Sequence, residues 1–334
     1  MILISVVITC YNRRKFVLDA VRSVLNQTLS RSEYEIIVIK NFNEELIDRF
    51  LLENGVKSIE AQSDTTGKWF EIALENSTGS IIAFLDDDDV FAPDKLTRVK
   101  LAFYDCPTLD YFHNNSDRFT GSVEGIPCHG EMRKPFTKID TESKNGFLHA
   151  LKAGHFQNIS SITIRKDVLY RGISIVRETN QFTDIVIFFV SLKLGGLMVH
   201  SDEILSFYRI HEDSMANLVA ENAFEFIEKR NKVLPYYELT FNVLLQSINN
   251  TNAKRYLEGR IFGVKFWTEI MLGRRPSTIC LEDVFRVLPY FQYYPQILFI
   301  IAILPFTRLF PLSFKHLYLT FLNTKIGWRL RSPV

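Results

Sequence analysis

The sequence predicts an α/β protein with a mostly parallel central sheet, followed by an α-helical C-terminal region. Strand-like and helix-like segments alternate from the N-terminus to residue 85. Such alternation is typical of parallel strands with helices on the faces of the sheet. Residues 216–272 instead show only helical patterns. The two regions therefore differ in architecture.

The first strand is expected at residues 2–10, a near-continuous β-branched run of the kind found in strands covered on both faces. A helix should follow, since Val17, Val21, Val24 and Leu25 share one helical side. Gly55 and Gly79 are natural stops for the next two helices. The pattern predicts further strands at 34–39, 57–61 and 80–85, and helices at 43–54 and 68–77.

Beyond residue 105 the pattern becomes irregular, and 105–155 is predicted as loops and irregular strands because Gly, Pro, His and Asn cluster there. Order returns with a strand and short helix at 159–169, an apolar helix at 184–196 and a closing strand at 203–211. In the helical region, Leu257, Ile261, Val264 and Met271 share one face, which predicts that this face is buried.

Composition excludes several classes of protein. The chain has 334 residues, 47% of them hydrophobic, and a net charge of +1, so it is neither disordered nor a general nucleic-acid binder. Its four cysteines form no metal-binding or disulfide pattern, which indicates a reducing compartment. The apolar N-terminus lacks the basic region and cleavage site of a signal peptide. We therefore expect a cytoplasmic protein.

Four consecutive aspartates, residues 86–89, directly follow the strand predicted at 80–85. Ligands of open α/β sheets bind beyond the carboxyl ends of the strands. Carboxylates are hard ligands that hold a divalent cation together with substrate phosphates. A metal-diphosphate site is therefore one interpretation. The alternative is a solvated acidic turn at a helix N-terminus, which remains open for Asp89 and Asp94 in particular.

Three segments in order resemble the inverting nucleotide-sugar glycosyltransferases of family 2: "SVVITCYNR" (5–13), "GKWFEIALENSTGSIIAFLDDDDVFAPDKL" (67–96) and "YRIHEDSM" (208–215). The resemblance covers roughly residues 3–215. It implies a single Rossmann-like A-type glycosyltransferase domain over 1–215, which leaves a helical extension at 216–283 and a basic, aromatic-rich tail at 284–334.

The resemblance also implies roles for individual residues. Asp88 would coordinate Mn²⁺ or Mg²⁺, with His211 close by as a ligand or a diphosphate contact. Lys68 and Arg209 would neutralise diphosphate charge, although solvated side chains are the alternative for both. The residues expected to bind the donor are Thr9, Tyr11, Asn12, Asn41, Lys68, Asp86 and Asp87.

Sugar transfer with inversion requires a base that takes the proton from the attacking acceptor hydroxyl. Relatives of this type open a late apolar helix with an acidic pair whose aspartate is the base. Here the segment reads "NQFTDIVIFF" (180–189), with Thr183 in place of the glutamate and Asp184 in place of the aspartate. The resemblance implies that Asp184 is the catalytic base. A plain acid at a helix start is the alternative.

The second strand departs from the family pattern, in which a pair of aspartates follows and one of them reads the nucleobase. This chain has Lys40 and Asn41 instead. Asn41 can donate and accept hydrogen bonds, so base recognition remains feasible with a different preference.

The tail differs in composition from the rest of the chain. Residues 287–307 carry no charge, but Pro289, Pro295 and Pro305 interrupt them. The longest proline-free piece is nine residues, or about 14 Å of helix, against a bilayer core of about 30 Å. No acid follows Asp283, and aromatics alternate with cations, which favours binding to an anionic membrane surface. The alternative is a helical lid or dimer interface. The cations after Asp283 are Arg286, Arg308, Lys315, Lys325, Arg329 and Arg331.

Together these features predict a metal-dependent enzyme at the inner face of the cell membrane. It would move a sugar from a nucleotide-diphosphate-sugar to a lipid-linked or cell-surface glycan, and would have no nucleic-acid partner. A catalytically silent nucleotide-sugar-binding or scaffold subunit is the alternative, because Thr183 and the altered second strand depart from the pattern.

Overall fold

The computed structural model describes residues 3–63, 65–121, 123, 135–211, 223–277, 279–318 and 320. The chain forms two compact units, Met1–Ile210 and His211–Val334. The predicted boundary at 215/216 and the tail residues Lys325, Trp328, Arg329 and Arg331 lie outside the described residues.

The first unit is built on one mixed sheet in the order β3-β2-β1-β4-β8-β6-β9-β5, with β7 paired to β9. The strands are β1 Ile4–Cys10, β2 Tyr34–Lys40, β3 Lys57–Glu60, β4 Ile81–Asp86, β5 Val90–Phe91, β6 Leu109–Phe119, β7 Thr137–Lys138, β8 Ile162–Arg165 and β9 Leu197–Arg209. Strands β1 to β4 pair in parallel, as do β6 and β9, whereas β8, β5 and β7 pair antiparallel to their neighbours. The predicted α/β class is confirmed, and its parallel character is strongest in the N-terminal half.

Helices pack on both faces of this sheet. They are α1 Val17–Leu25, α2 Glu45–Glu53, α3 Thr66–Asn76, α4 Lys95–Asp105, α5 Lys144–Ala153, α6 Lys166–Val176 and α7 Thr183–Leu194. Alternate residues of β1, such as Val6 and Ile8, join the apolar faces of α1, α2 and α4 in one core cluster. On the opposite face, Phe70 of α3 packs against Phe84 of β4, with ring centroids 5.0 Å apart. The sheet is therefore covered on both sides, as the apolar strand sequences predicted.

The region 105–155 is more regular than predicted. It contains β6, which is eleven residues long, and α5, which Ser143 caps by accepting from the Gly146 N–H. Strand β6 was hard to recognise because its polar residues His113 and Asn114 are buried among other polar groups. Their partners lie far away in the sequence, so local hydropathy gave no strand signal.

The second unit is helical where it is described, with α8 Ala223–Ser247, α9 Thr251–Met271, α10 Leu281–Val287 and α11 Gln296–Leu309. The predicted buried face of α9 is confirmed at Leu257, Ile261, Val264 and Met271. Helix α11 continues through Pro305, because Ile297, Ile300 and Leu304 pack into a core with α9 and α10. Within the described residues, no helix is both long and apolar enough to cross a bilayer.

Candidate active site

The acidic turn, residues Asp86–Asp89, follows β4 at the carboxyl end of the parallel strands. The Asp89 N–H donates to the Asp86 carbonyl at 3.2 Å and closes the turn. Asp87, Asp88 and Asp89 are only 1%, 7% and 0% exposed, while Asp86 is half-buried. The alternative of a solvated acidic turn is therefore wrong for Asp87, Asp88 and Asp89, and their charges need partners inside the protein.

Arg13 supplies one such partner. It follows β1, where Asn12 adopts a left-handed conformation with φ of 55° and the Cys10 thiol donates to the Arg13 carbonyl at 2.8 Å. The guanidinium binds Asp87 with two nitrogens, Nε at 3.3 Å from Oδ2 and Nη2 against Oδ1. Its Nη1 contacts Asp88 Oδ2. Two adjacent aspartates thus share one arginine.

Asp89 is held from the other side of the turn. Its Oδ2 accepts from Ser160 Oγ at 2.6 Å, and its Oδ1 accepts from the Arg209 N–H at 3.0 Å. Ser160 also connects Asp89 to Lys95, whose fully buried ammonium donates to the Ser160 carbonyl, to Asn114 Oδ1 at 3.0 Å and to Ser206 Oγ at 2.9 Å. Asp89 is therefore fixed in a dry polar network.

Burial and mutual repulsion raise the pKa values in the turn. Burial is the largest cause and raises the pKa of Asp87 to about 7 and that of Asp89 to about 8, with Asp88 adding to both. The pKa of Asp86 is also raised well above its ordinary value, by burial and then by Asp88 and Asp89. Raised carboxylate pKa values mean that the local positive charge is insufficient to offset burial. Such a site favours an added cation.

A divalent cation fits this turn. Ligand oxygens of Asp86, Asp88 and Asp89 all lie within 4.8 Å of one another. Oxygens around one hard cation at about 2.1 Å are up to roughly 4.2 Å apart, so a small adjustment brings them into range. Asp89 already accepts two hydrogen bonds, whereas no hydrogen bond to the Asp86 carboxylate is found within the described part of the chain. Asp86 and Asp88 are the better candidate ligands.

Four of the predicted donor-binding residues lie at the ends of β1 and β2. Thr9 is the register partner of Asp86, and the Tyr11 side chain is 52% exposed, with its ring 5.7 Å from that of Trp69. The Asn12 N–H donates to Asn41 Oδ1 at 2.8 Å. These residues therefore lie at one edge of the sheet, next to the acidic turn.

The neighbouring Lys40 turns inward. It is 3% exposed, forms an ion pair with Asp48 at 2.9 Å and donates to the Phe42 carbonyl at 2.6 Å. Of the two residues that depart from the family pattern, Lys40 therefore has a structural role inside the first unit. Asn41 remains at the strand-end edge of the sheet, where it contacts Asn12.

The other predicted contacts differ in setting. Lys68 is exposed in the first turn of α3. Arg209 is 1% exposed and bound to Asp19 at 3.0 Å and to the Asp88 carbonyl at 2.8 Å, so in this structure it holds the loop rather than facing solvent. His211 is half-buried and belongs to the second unit, and its role as a metal ligand stays a prediction.

Asp184 lies at the start of α7, after Phe182 in a left-handed conformation with φ of 63°. Its Oδ2 accepts from the Asn158 N–H at 3.2 Å, and its Oδ1 accepts from the Ile185 N–H at 2.8 Å. Burial raises its pKa to about 6, against these hydrogen bonds. A carboxylate whose pKa is raised toward neutrality by burial is suited to act as a general base.

Three residues of the site, Arg13, Lys95 and Ser160, are not predicted from the sequence. Arg13 and Lys95 do lie inside the segments quoted for the family resemblance. Ser160 gave no signal, since it stands in an ordinary apolar stretch and meets Asp89 across 71 residues of chain.

Comparison with known proteins agrees with this geometry. Residues 5–154 match the model of glycosyl transferase family 2. An uncharacterized glycosyltransferase of Nostoc sp. is 28% identical over 219 residues, which is 62% of this chain. The match spans 65% of that relative's length.

Solved structures share the fold. The structure of residues 1–349 of TarS from S. aureus matches 88% of this chain and 81% of its own, with a TM-score of 0.55 and 14% identity. The mannosyltransferase PcManGT from Pyrobaculum calidifontis, solved with GDP-Man and Mn²⁺, matches 92% of this chain and 86% of its own, with a TM-score of 0.54 and 11% identity. Residues 5–154 therefore resemble glycosyltransferase family 2, and the chain shares the A-type glycosyltransferase fold of these solved structures.

Proposed function

We propose that the chain is a metal-dependent inverting glycosyltransferase that moves a sugar from a nucleotide-diphosphate-sugar to an acceptor hydroxyl. One observation carries the proposal. The segment 158–160 contacts both Asp184, through the Asn158 N–H, and the acidic turn, through the Ser160 hydroxyl. The proposed base and the proposed donor site are thus held by neighbouring residues of one short segment.

The compared structures support a nucleotide-sugar donor. TarS is named a poly(ribitol-phosphate) beta-N-acetylglucosaminyltransferase and has been solved with UDP-GlcNAc, and PcManGT has been solved with GDP-Man. In this chain, Thr9, Tyr11, Asn12 and Asn41 would receive the nucleoside. Because Asn41 replaces an aspartate, we leave the base open between the uracil and guanine types.

Asp86 and Asp88 would hold Mn²⁺ or Mg²⁺, with His211 as a further candidate ligand. When bound, such a cation stabilises the negative charge that develops on a departing diphosphate. Lys68 is placed at an exposed helix start, from which its ammonium would add to that stabilisation.

Asp184 would accept the proton of the acceptor hydroxyl as its oxygen attacks the anomeric carbon. The bond between that carbon and the diphosphate breaks on the opposite face, and the nucleoside diphosphate leaves with the bonding electrons. The raised pKa of Asp184, about 6, keeps it largely ionised at neutral pH and a stronger base than an ordinary aspartate.

A nucleotide-release assay with UDP- and GDP-sugars tests the activity. Asp88→Ala and chelation should each abolish release, whereas Asp184→Asn should retain donor binding and lose at least about a hundredfold in turnover. Release that survives both Asp88→Ala and chelation would exclude metal dependence. Donor binding by the wild-type chain without any turnover would instead favour the silent, nucleotide-sugar-binding subunit.

The acceptor is proposed to be a lipid-linked or cell-surface glycan, reached from the cytoplasmic side of a membrane. Helix α11 buries one side in its own unit but leaves Leu298, Phe299 and Phe306 41% to 52% exposed. Exposed apolar residues continue through Leu309, Phe310 and Leu312, and the cations Arg308 and Lys315 lie among them in the sequence. Apolar and basic side chains in one segment suit an anionic leaflet.

Vesicle sedimentation tests this surface. Anionic vesicles should pull down the wild-type chain, and the double variant Phe299→Ser, Phe306→Ser should bind several-fold more weakly. Leu239→Ser serves as the control, because Leu239 is also exposed, at 49%, but belongs to α8 and not to the tail segment 284–334. If all three proteins stay in the supernatant to the same extent after the vesicles are pelleted, membrane binding by this surface is excluded.

A further inference from the structure

Arg13 occupies the acidic turn in a way that the proposed metal site does not by itself explain. Its guanidinium is two-thirds buried, binds Asp87 through two nitrogens and reaches Asp88 Oδ2 with the third. Arg209 is a second arginine at the acidic turn. Its side chain donates to the Asp88 backbone carbonyl, and its backbone N–H donates to Asp89 Oδ1. Arg13, in contrast, pairs its guanidinium with the carboxylates of Asp87 and Asp88.

The two aspartates bound to Arg13 are not equivalent. The Asp87 side chain is 1% exposed and contacts two nitrogens of Arg13, through a hydrogen bond from Nε to Oδ2 at 3.3 Å and an ion-pair contact between Nη2 and Oδ1. Asp88 is 9% exposed at its side chain, takes a single nitrogen and belongs to the trio of carboxylates that could hold a cation. Asp87 is therefore the anchor, and Asp88 is the exchangeable partner.

A cation bound by Asp88 would compete directly with Arg13. Arg13 Nη1 already contacts Asp88 Oδ2, so a divalent cation held by the Asp88 carboxylate would lie close to the guanidinium, and two positive charges that close repel each other. Because the guanidinium is rigid and planar, the contact with Asp88 would break by rotation of the Asp88 side chain, which leaves the Nε and Nη2 contacts with Asp87 in place.

We propose that Arg13 is an exchangeable counter-ion that neutralises Asp88 before metal binding and must leave Asp88 when the divalent cation arrives. This inference rests on the proposed metal-dependent function. It also assigns Asp87 to positioning Arg13, in place of a direct contact with the donor. The consequence is that Arg13 weakens the affinity of the site for a divalent cation.

The test measures Mn²⁺ alone, by electron paramagnetic resonance of the free ion during titration of the protein without nucleotide. Arg13→Gln removes the competing charge, and Mn²⁺ should then bind about tenfold more tightly than to the wild type. Arg14→Gln is the matched control, since Arg14 is adjacent but pairs with Glu44 at 3.9 Å, and its Mn²⁺ affinity should stay within about twofold of wild type.

A second variant covers the case in which Arg13→Gln leaves Asp87 buried without its cation and fails to fold. Arg13→Gln, Asp87→Asn removes both charges together and keeps the shapes, and it should bind Mn²⁺ more tightly than Asp87→Asn alone. Affinity that is unchanged or weaker than that of its reference protein, in whichever variant folds, would overturn the proposal. Tightening by Arg14→Gln as large as that by Arg13→Gln would also overturn it, because the effect would then be general electrostatics.

Asp88→Ala separates this inference from the function on which it rests. Loss of Mn²⁺ binding in Asp88→Ala, with no gain in Arg13→Gln, overturns the role of Arg13 and leaves the metal site standing. Equal Mn²⁺ binding by Asp88→Ala and the wild type, or no binding by either, overturns the metal site and the inference together.

Discussion

The Ser160 hydroxyl donates to Asp89 Oδ2 at 2.6 Å and at the same time accepts the Asp86 N–H at 3.0 Å. One oxygen therefore fastens the first and last residues of the acidic turn to the segment that leads into β8. The same segment contacts Asp184 through Asn158, whose side chain in turn accepts the Ser160 N–H at 3.0 Å. Ser160 is consequently the residue whose loss should disturb the turn without removing any of its charges.

Ser160→Ala should lower the free energy of unfolding by about 1–3 kcal/mol, because it leaves a buried carboxylate oxygen and a backbone N–H without their partner. It should also weaken Mn²⁺ binding, since Asp86 and Asp89 lose their common support. Urea denaturation and Mn²⁺ titration measure the two effects.

Ser161→Ala is the matched control. Ser161 is 0% exposed, and its hydroxyl has no hydrogen-bond partner within the part of the chain described above. It should cost little stability and leave Mn²⁺ affinity intact. Equal effects of the two substitutions would contradict the role given to Ser160.

Lys95→Met should destabilise the first unit by about 3–5 kcal/mol, the range for breaking a buried charged network. Burial lowers the pKa of Lys95 well below its ordinary value, against the attraction of Asp89, yet its ammonium serves three acceptors that methionine cannot satisfy. Lys100→Met, at a partly exposed pair with Glu33, should cost about 1 kcal/mol or less. Chemical denaturation of both variants measures the free energy of unfolding. A similar loss in the two variants would contradict the stabilising role given to the buried Lys95 network.

The stability of Asp184→Asn relative to the wild type should rise with pH, while turnover is lost. The folded pKa of about 6 lies above the ordinary aspartate value of about 3.9, so the contribution of Asp184 to stability is full below about pH 4 and is lost as the pH rises through about 6. The variant has no such titration, so the Tm of the variant minus that of the wild type should increase from pH 5 to pH 7.5. Thermal melts at both pH values measure this difference.

The kinetic counterpart has the opposite sign. Wild-type kcat should fall as the pH drops below about 6 and the base becomes protonated. A flat pH profile for kcat between pH 5 and pH 7.5 would argue against Asp184 as the base.

Three buried histidines form a separate cluster beside β6 and β9. His113 Nδ1 lies 2.9 Å from His200 Nδ1, and the rings of His155 and His200 stack with centroids 4.2 Å apart. Burial lowers the pKa of His113 to about 3 and that of His155 to about 4, and it lowers the pKa of His200 as well. Asp202 and the exposed His149 face the cluster, and Lys95 adds positive charge near His113.

This cluster should make the fold sensitive to acid. The folded pKa values lie below the ordinary histidine value of about 6.5, so stability is present above pH 6.5 and is lost as the pH falls toward 4. His155→Phe keeps a stacked ring but cannot be protonated. Relative to wild type, it should recover about 1–2 kcal/mol of the stability lost between pH 7 and pH 5.

His149→Asn, at the exposed member, should follow the wild-type curve. The comparison uses differences between proteins at each pH, because the raised pKa values of Asp87 and Asp89 act in the opposite direction. Identical pH dependence of His155→Phe and wild type in urea denaturation would refute this account.

Local sequence patterns were sufficient for much of the fold. Between β1 and β4, each predicted element appears close to its expected place. The signals there are local in the sequence: the β-branched run at β1, the alternation of strands and helices, and the glycines that end the helices. The same reasoning put Asp86 at the carboxyl end of β4, directly across from Thr9 on β1. The length and polarity of β6 were not predictable in this way, because Asn114 bonds Lys95, 19 positions away, and His113 bonds His200, 87 positions away.

By itself the sequence determined that a run of carboxylates would lie at a ligand-binding edge and that an aspartate would open the late apolar helix. Only the tertiary structure decided what each aspartate does: Asp87 and Asp88 share Arg13, and Asp89 shares Ser160, across separations of 71 to 75 residues. Four neighbouring carboxylates are chemically alike in the sequence. They become different because strand order brings an arginine, a hydroxyl and a buried lysine to fixed positions around them, and electrostatic energy depends on those distances.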